Sequence, residues 1–208
     1  MRKLLVTTFV SLDGVMQAPG GPEEDHDGGF EHGGWGAPHF EPAIITLMAE
    51  VTARAGALLL GRRTYEDFAS TWPLAEDDDP IGAKINTMPK YVASRTLRSV
   101  EWQNSTLLDG DVPDAVRKLK EDDGGEIQVH GSGGLVQTLI RNDLVDEFHV
   151  LVFPVLVGKG KRLFAEGTVP AGLRLENATT FGTGVIACTY TRVGGLAYGA
   201  MGPETGNW

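Results

Sequence analysis

The stretch 57-ALLLGRRTYEDF-68 decides the fold. Its first half is a short apolar run stopped by Gly61, the pattern of a strand buried on both faces; its second half takes up the polar spacing of a helix. Between them stand Arg62 and Arg63, adjacent cations in a chain whose formal net charge is −10. A helix that begins straight after a strand leaves its first N–H groups without intrahelical partners, at the positive end of its dipole. Gly61, the two arginines and the Thr64 hydroxyl therefore describe a place for an anion such as phosphate. The competing reading pairs the arginines with Glu66 or Asp67 one turn on, as surface residues.

Two further segments repeat the geometry. In 129-VHGSGGLVQTLI-140 a strand runs through the turn Gly131, Ser132, Gly133, Gly134 into a helix, and the glycines let backbone approach a pyrophosphate closely. The spacing is not G-x-G-x-x-G, because the last glycine would fall at Val136. In 93-ASRT-96 a third strand end carries Ser94 and Arg95. Strand ends of one parallel sheet open on the same edge, where open α/β sheets bind ligands, so one extended polyanion explains all three turns together.

The remaining elements place these turns. Strands are expected at Leu4–Ser11, Lys90–Ser94, Thr106–Leu108 and "EIQVH", with a long one over "DEFHVLVFPVLVG" interrupted by Pro154. Helices are expected from Pro42 to a stop at Gly56, over "RTYEDFASTW", over "DVPDAVRKLKED" with Asp111 near its start, and after "GSGG". Leu173–Phe181 and Val185–Val193 read as an antiparallel pair joined at "GTG". Strands alternating with helices predict a three-layer α/β/α domain with a mostly parallel central sheet and an antiparallel C-terminal edge. It occupies residues 1–193, and the Gly-rich residues 194–208 read as a tail.

With 208 residues and 41% apolar content, one domain with a real core is expected. The acidic excess argues against nucleic-acid and anionic-membrane partners. The single cysteine, Cys188, excludes an intramolecular disulfide, fits a reducing cytoplasm and, on a strand, reads as a buried thiol. The N-terminal "MRKLLVTTFVSLDGVM" reads as a first strand rather than a signal peptide, since its apolar run is broken by Asp13. No apolar run approaches the roughly 20 residues that cross a bilayer.

The ordered set "SLDGVM", "LLLGRRTYEDF", "KYVASRTL", "IQVHGSGGLVQTLI" and "LVDEFHVLVFPVLVGKGKRLF" resembles the dihydrofolate-reductase-like superfamily, in the branch of the reductase domain of the bifunctional riboflavin-biosynthesis deaminase–reductase. The resemblance implies NADPH in an extended pose. Arg62 would meet the adenosine 2′-phosphate, with Arg95 a second candidate beside Ser94, and Thr64, Gly133 and Gly134 would meet the pyrophosphate. Phe9 to Met16 would offer backbone to the nicotinamide carboxamide; Arg63 matches a variable position. A homodimer is also an expectation of the resemblance.

The chemistry is less well specified. The acid that dihydrofolate reductases carry about sixteen residues before the G-R-x-T turn would fall at Ile45, so folate reduction is not expected. Asp13, Glu41 or a water remain as proton donors, with Asp13 also readable as a turn residue of Asp-Gly. Residues 17–40 read as a lid whose Trp35 or Phe40 closes over a flat small-molecule ring. His26, His32 and His39 lie in that segment at spacings that match no strong zinc pattern, so no metal is expected. "GKGKRLF" lacks phosphate-loop spacing and reads as structural. The paired-cysteine zinc motif of the deaminase is impossible with one cysteine. Beside a reductase of a pteridine- or pyrimidine-like heterocycle stand two alternatives: a 5-amino-6-ribosylaminouracil-phosphate reductase, and a module that binds NADPH without turning it over.

Overall fold

Leu58, Leu59 and Leu60 are fully buried, and they alternate between two cores, as a central strand covered on both faces requires. The computed structural model describes residues 1–76 and 78–202. Its elements in chain order are β1 (Leu4–Ser11), α1 (Pro42–Ala53), β2 (Ala55–Gly61), α2 (Arg62–Thr71), α3 (Pro80–Thr87), β3 (Lys90–Ala93), β4 (Ser105–Leu107), α4 (Val112–Glu121), β5 (Glu126–His130), α5 (Gly133–Arg141), β6 (Glu147–Phe153), β7 (Gly172–Thr180) and β8 (Ile186–Gly194). The strands form one sheet in the order β4-β3-β2-β5-β1-β6-β8-β7. β1 to β6 pair in parallel, and β8 and β7 close one side antiparallel.

One face carries Leu4, Val6, Leu59, Ile127, Val129, Phe148 and Val150 against Val116 of α4 and Val136 and Leu139 of α5. The other packs Leu58, Leu60 and Val92 against Tyr65 of α2 and Ile81 and Ile85 of α3. Next to it, Leu151, Phe153 and Ala187 pack on Ile44 of α1. The expected three layers are present, with the antiparallel edge where the C-terminal strand pair placed it.

Several boundaries differ from expectation for identifiable reasons. α1 stops at Ala53, and Gly56 already belongs to β2. A Cβ at Gly56 would stand 2.7 Å from the Gly125 nitrogen, so this glycine serves close strand approach rather than a helix stop. β6 ends at Phe153 because Pro154 has no N–H for the ladder, and the expected continuation through Gly158 leaves the sheet. Gly194 closes β8 rather than opening the tail, and residues 203–208 of the tail lie outside the described ones. Helix α3 has no counterpart in the sequence reading. Lys90, fully buried at the start of β3, gives its ammonium to the carbonyls of Asn86 and Met88 at the end of α3 and of Gln103, with Trp102 beneath it at 4.3 Å. Cys188 is half-buried on β8, opposite Val150.

Candidate functional site

β3, β2 and β5 are neighbours and run parallel, so their C-terminal ends leave the sheet on one edge. There the three turns line a single cleft of 1110 Å³: Gly61 to Thr64 after β2, Ser94 and Arg95 after β3, and Gly131 to Gly134 after β5. The sequence placed these residues singly, and the parallel register brings them together.

Ser132 ties two of the turns. Gly131 and Ser132 are both left-handed, with φ of 53° and 59°, which lifts the serine towards β2. Its Oγ accepts from the Gly61 N–H at 2.9 Å and donates to Thr64 Oγ1 at 2.8 Å. A Cβ at Gly61 would sit 3.0 Å from that Oγ, so glycine there permits the tie. The Thr64 hydroxyl proton, at the end of this chain, remains available to an acceptor in the cleft. Because Ser132 bonds across to β2, it does not cap α5, and Gly61 has no side chain to cap α2. Both helices thus begin at the cleft with backbone donors that no side chain has taken. Beside them the space over Gly134 is open, with nothing within 4 Å of a would-be Cβ.

Cations stand around these donors. Arg62 is paired with Glu66 at 3.0 Å, and Arg95 is exposed and has no partner among the described residues. Arg63 is turned to the 17–40 segment, where it bonds Asp27 at 2.6 Å. Lys161 also reaches Asp27, at 3.1 Å, and Asp25, at 2.5 Å. Hydrogen bonds from Arg63 and Lys161 hold the Asp27 carboxyl well below the usual range. "GKGKRLF" therefore fastens the segment down, although Lys161 also lines the cleft.

Deeper in, the cleft floor is formed by the central strands: Thr7, Thr8 and Phe9 of β1, with His130, His149 and Leu151 beside them, and Met16 also lines the cleft. Met48, Val51 and Thr52 of α1 form one wall. His149 Nδ1 lies 3.4 Å from Thr7 Oγ1, and His130 Nε2 lies 3.4 Å from Gln128 Oε1. Burial pushes both imidazoles down, each to about 4, so both are neutral at pH 7. Burial also raises Asp67 on the far wall. Thr7, His130 and His149 were not singled out from the sequence, and Lys161 was noted there only within "GKGKRLF". His130 had a visible signal, being the residue next to the glycine turn.

The expected catalytic and lid residues lie elsewhere. Asp13 accepts from Ser11 Oγ at 2.6 Å and from the N–H groups of Val157 and Gly158. The serine bond first, then those backbone donors, lower its pKa to about 2, which makes it a turn brace and a poor acid. Glu41 accepts from the N–H groups of Gly182 and Thr183 in the β7–β8 turn. Neither carboxylate lines the cleft. Trp35 and Phe40 pack on Phe153 with ring centres 5.5 and 5.8 Å away, and the Trp35 indole donates to the Gln17 carbonyl. They anchor the segment to the sheet instead of facing a ligand, and Ala37–His39 forms a short 3-10 turn within it. His26 bonds Glu23, while His32 and His39 lie against Phe30 and Phe153 respectively. Among the described residues no cluster of His, Cys, Asp and Glu is arranged to hold a metal, and no helix is long and apolar enough to cross a membrane.

Known proteins resemble this chain in sequence and in fold. The uncharacterized protein YyaP of Bacillus subtilis (strain 168) is 27% identical over 196 residues, 91% of this chain and 94% of that one. A protein of Shewanella sp. PV-4 described as a riboflavin biosynthesis protein superposes with a TM-score of 0.71 at 21% identity, covering 92% of this chain and 99% of its own. The diaminohydroxyphosphoribosylaminopyrimidine deaminase/5-amino-6-(5-phosphoribosylamino)uracil reductase of Thermotoga maritima superposes with a TM-score of 0.63 at 14% identity, over 92% of this chain but 57% of that longer one. The RibD C-terminal domain matches residues 2–187, a span that contains every turn lining the cleft, and the chain belongs to that family.

Proposed function

We propose that this member of a reductase-like family is an NADPH-dependent reductase acting on a small, flat heterocyclic substrate. The observation that carries the reading is the convergence of three strand-end turns on one cleft, two of them opening uncapped helices beside exposed glycine backbone. Such a cradle fits a pyrophosphate: backbone donors from the starts of α2 and α5, the Thr64 hydroxyl and the bare surface at Gly133 and Gly134 meet its oxygens. Arg62 and Arg95 suit the additional phosphate that distinguishes NADPH from NADH. Phe9 and Met16 border the floor where a nicotinamide would lie. When bound, NADPH supplies a hydride at that ring, and the neighbouring floor and the wall of α1 hold the acceptor.

The position of the missing acid, Ile45, is half exposed on α1, and no carboxylate of that helix lines the cleft. That favours an acceptor other than folate, with its proton drawn from water or from the floor. It also supports a second reading, a module that binds NADPH without oxidising it. A phosphorylated aminouracil substrate is less well served, because Lys161 and Arg162 are already paired with Asp25, Asp27 and Asp13. Incubating the protein with NADPH and a panel of pteridines, pyrimidines and quinones, and following loss of NADPH absorbance, tests the proposal. Turnover with at least one acceptor is expected; saturable binding with no oxidation across the panel transfers the reading to the binding module.

A further inference from the structure

We infer that the part of the cleft left free by the coenzyme takes a positively charged substrate group, an ammonium, with the Asp67 carboxylate as its counter-ion and Glu24 beside it. This rests on the coenzyme reading above, which assigns the phosphates to the helix starts, and it names the charge of what enters the remaining space. The charged side chains that line the cleft pair off unevenly. Arg62 is held by Glu66, and Arg63 and Lys161 by Asp25 and Asp27. Asp111 accepts from the Asp114 N–H at the start of α4. Of the others, and among the described residues, Arg95 and Arg141 are left without a carboxylate, and Glu24 and Asp67 without a cation.

Asp67 is the acid most in need of a partner. Its carboxylate is half-buried and bonds no described residue. Helix geometry offers it Arg63, four residues earlier on α2. That side chain is instead drawn to Asp27 at 2.6 Å and Asp25 at 3.6 Å. The buried Gln17 amide shapes the turn that presents them, donating to the carbonyls of both aspartates. The 17–40 segment therefore takes away the cation that would neutralise Asp67, and it adds Glu24 to the cleft. Glu24 accepts from the Gly20 and Gly21 N–H groups at 2.7 and 3.2 Å, which hold its carboxylate without neutralising it. Burial raises the Asp67 carboxyl, and the Asp67 charge in turn acts on Glu24. An unpaired acid that loses its water is costly, and a ligand cation offsets that cost.

The surroundings point to a ligand independently. α1 and α2 cover the same face of the sheet, and Met48, Val51 and Thr52 of the one and Asp67 and Phe68 of the other line the cleft over the floor. The Phe68 ring centre is 5.7 Å from that of His130 and gives the space an apolar wall. Two polar side chains here are more than nine-tenths buried yet not fully engaged. Thr52 is 4% exposed, and its hydroxyl bonds no described residue. His149 is 6% exposed, and its Nε2 bonds none. Buried polar groups of this kind need partners, which a ligand supplies. The Thr52 hydroxyl accepts as well as donates, so it suits an ammonium, which has three donors and no acceptor. A phosphorylated group would instead stand against two carboxylates.

A matched series tests this: phenethylamine, 2-phenylethanol and 2-phenylethyl phosphate carry the same flat ring and differ in the charge of the tail. Calorimetry at pH 7, with and without NADPH, should show the amine binding about tenfold more tightly than the alcohol. With NADPH filling the anion cradle, the phosphate should bind at least about threefold more weakly than the alcohol. Asp67→Asn keeps the shape and removes the charge, and it should bring the amine to within about twofold of the alcohol. Since it removes an unpaired, half-buried acid, this variant should melt no lower than the parent and hold NADPH no more weakly. No amine binding, equal binding of amine and alcohol, a phosphate that matches the amine beside bound NADPH, or an amine advantage that survives in Asp67→Asn would each overturn the inference. So would a lower melting temperature, which gives the carboxylate to the fold, or a loss of NADPH affinity, which gives it to the coenzyme. Should NADPH fail to bind while the amine keeps an advantage that Asp67→Asn abolishes, the coenzyme reading falls and the cation site stands.

Discussion

Helices α3 and α4 begin differently from α2 and α5, and the difference marks where a ligand belongs. Asp79 accepts from the Ile81 N–H at 2.9 Å and Asp111 from the Asp114 N–H at 3.2 Å, so each of the first pair is closed by its own side chain. The second pair starts with Gly61, which has no side chain, and with Ser132, whose side chain is spent on β2. α1 is also uncapped, but it starts at Pro42 away from the cleft, with Glu41 engaged in the β7–β8 turn. A protein that closes α3 and α4 and leaves two helices open at one cleft gives up about 1 kcal/mol per missing cap. An anion that completes both helices accounts for that loss.

The sharpest way to break the comparison is Gly134→Asp. The position is open, and a carboxylate in the first turn of α5 should raise stability by about 0.3–1 kcal/mol. The same charge beside an incoming pyrophosphate should weaken NADPH at least about a hundredfold, since like charges this close repel by a few kcal/mol. Thermal melts and calorimetric titration read the two opposite signs; unchanged NADPH affinity would mean that α5 is not where the coenzyme phosphates sit. Next, Arg62→Ala should cost NADPH roughly ten- to 150-fold while leaving NADH nearly unchanged, because a charge-assisted bond is worth about 1.5–3 kcal/mol. Equal losses for both coenzymes would remove its role at the 2′-phosphate and leave that role to Arg95.

The capped helices give the complementary control. Asp79→Ala should lower unfolding stability by about 1 kcal/mol with no change in coenzyme affinity, as denaturant melts and titration would show. The smallest effect is a pH signature at the brace after β1. The Asp13 carboxyl has its pKa lowered from 3.8 to about 2, so its contribution is complete well above 3.8 and fades as pH falls through 2. Asp13→Asn should therefore be less stable than the parent at neutral pH and indistinguishable from it below about pH 2. A deficit that persists in acid would point to lost packing instead of lost charge.

Much of this was legible locally. The leucine run, the glycine turns and the arginines after Gly61 each announce themselves within a dozen residues, and the shared edge follows from parallel topology. What escaped depends on register or on distant partners. His130, Thr7 and His149 lie far apart in sequence and form a row only once β5 and β6 flank β1. Ser132 reads as a cap, and only the left-handed turn reveals that it serves the other strand. Asp13 and Glu41 look like available acids because their amide donors are more than 140 residues away. The aromatics of residues 17–40 signal burial correctly, but whether they bury against a ligand or against Phe153 is decided by the aromatic cluster of β1 and β6. α3 is short, and its eight residues hold too few apolar positions to declare a period.

One titration tests the central claim most directly: NADPH and, separately, NADH into the folded wild-type protein by calorimetry. Saturable one-to-one binding, at least about tenfold tighter for NADPH, is the predicted result. No heat from either dinucleotide with correctly folded protein would contradict it.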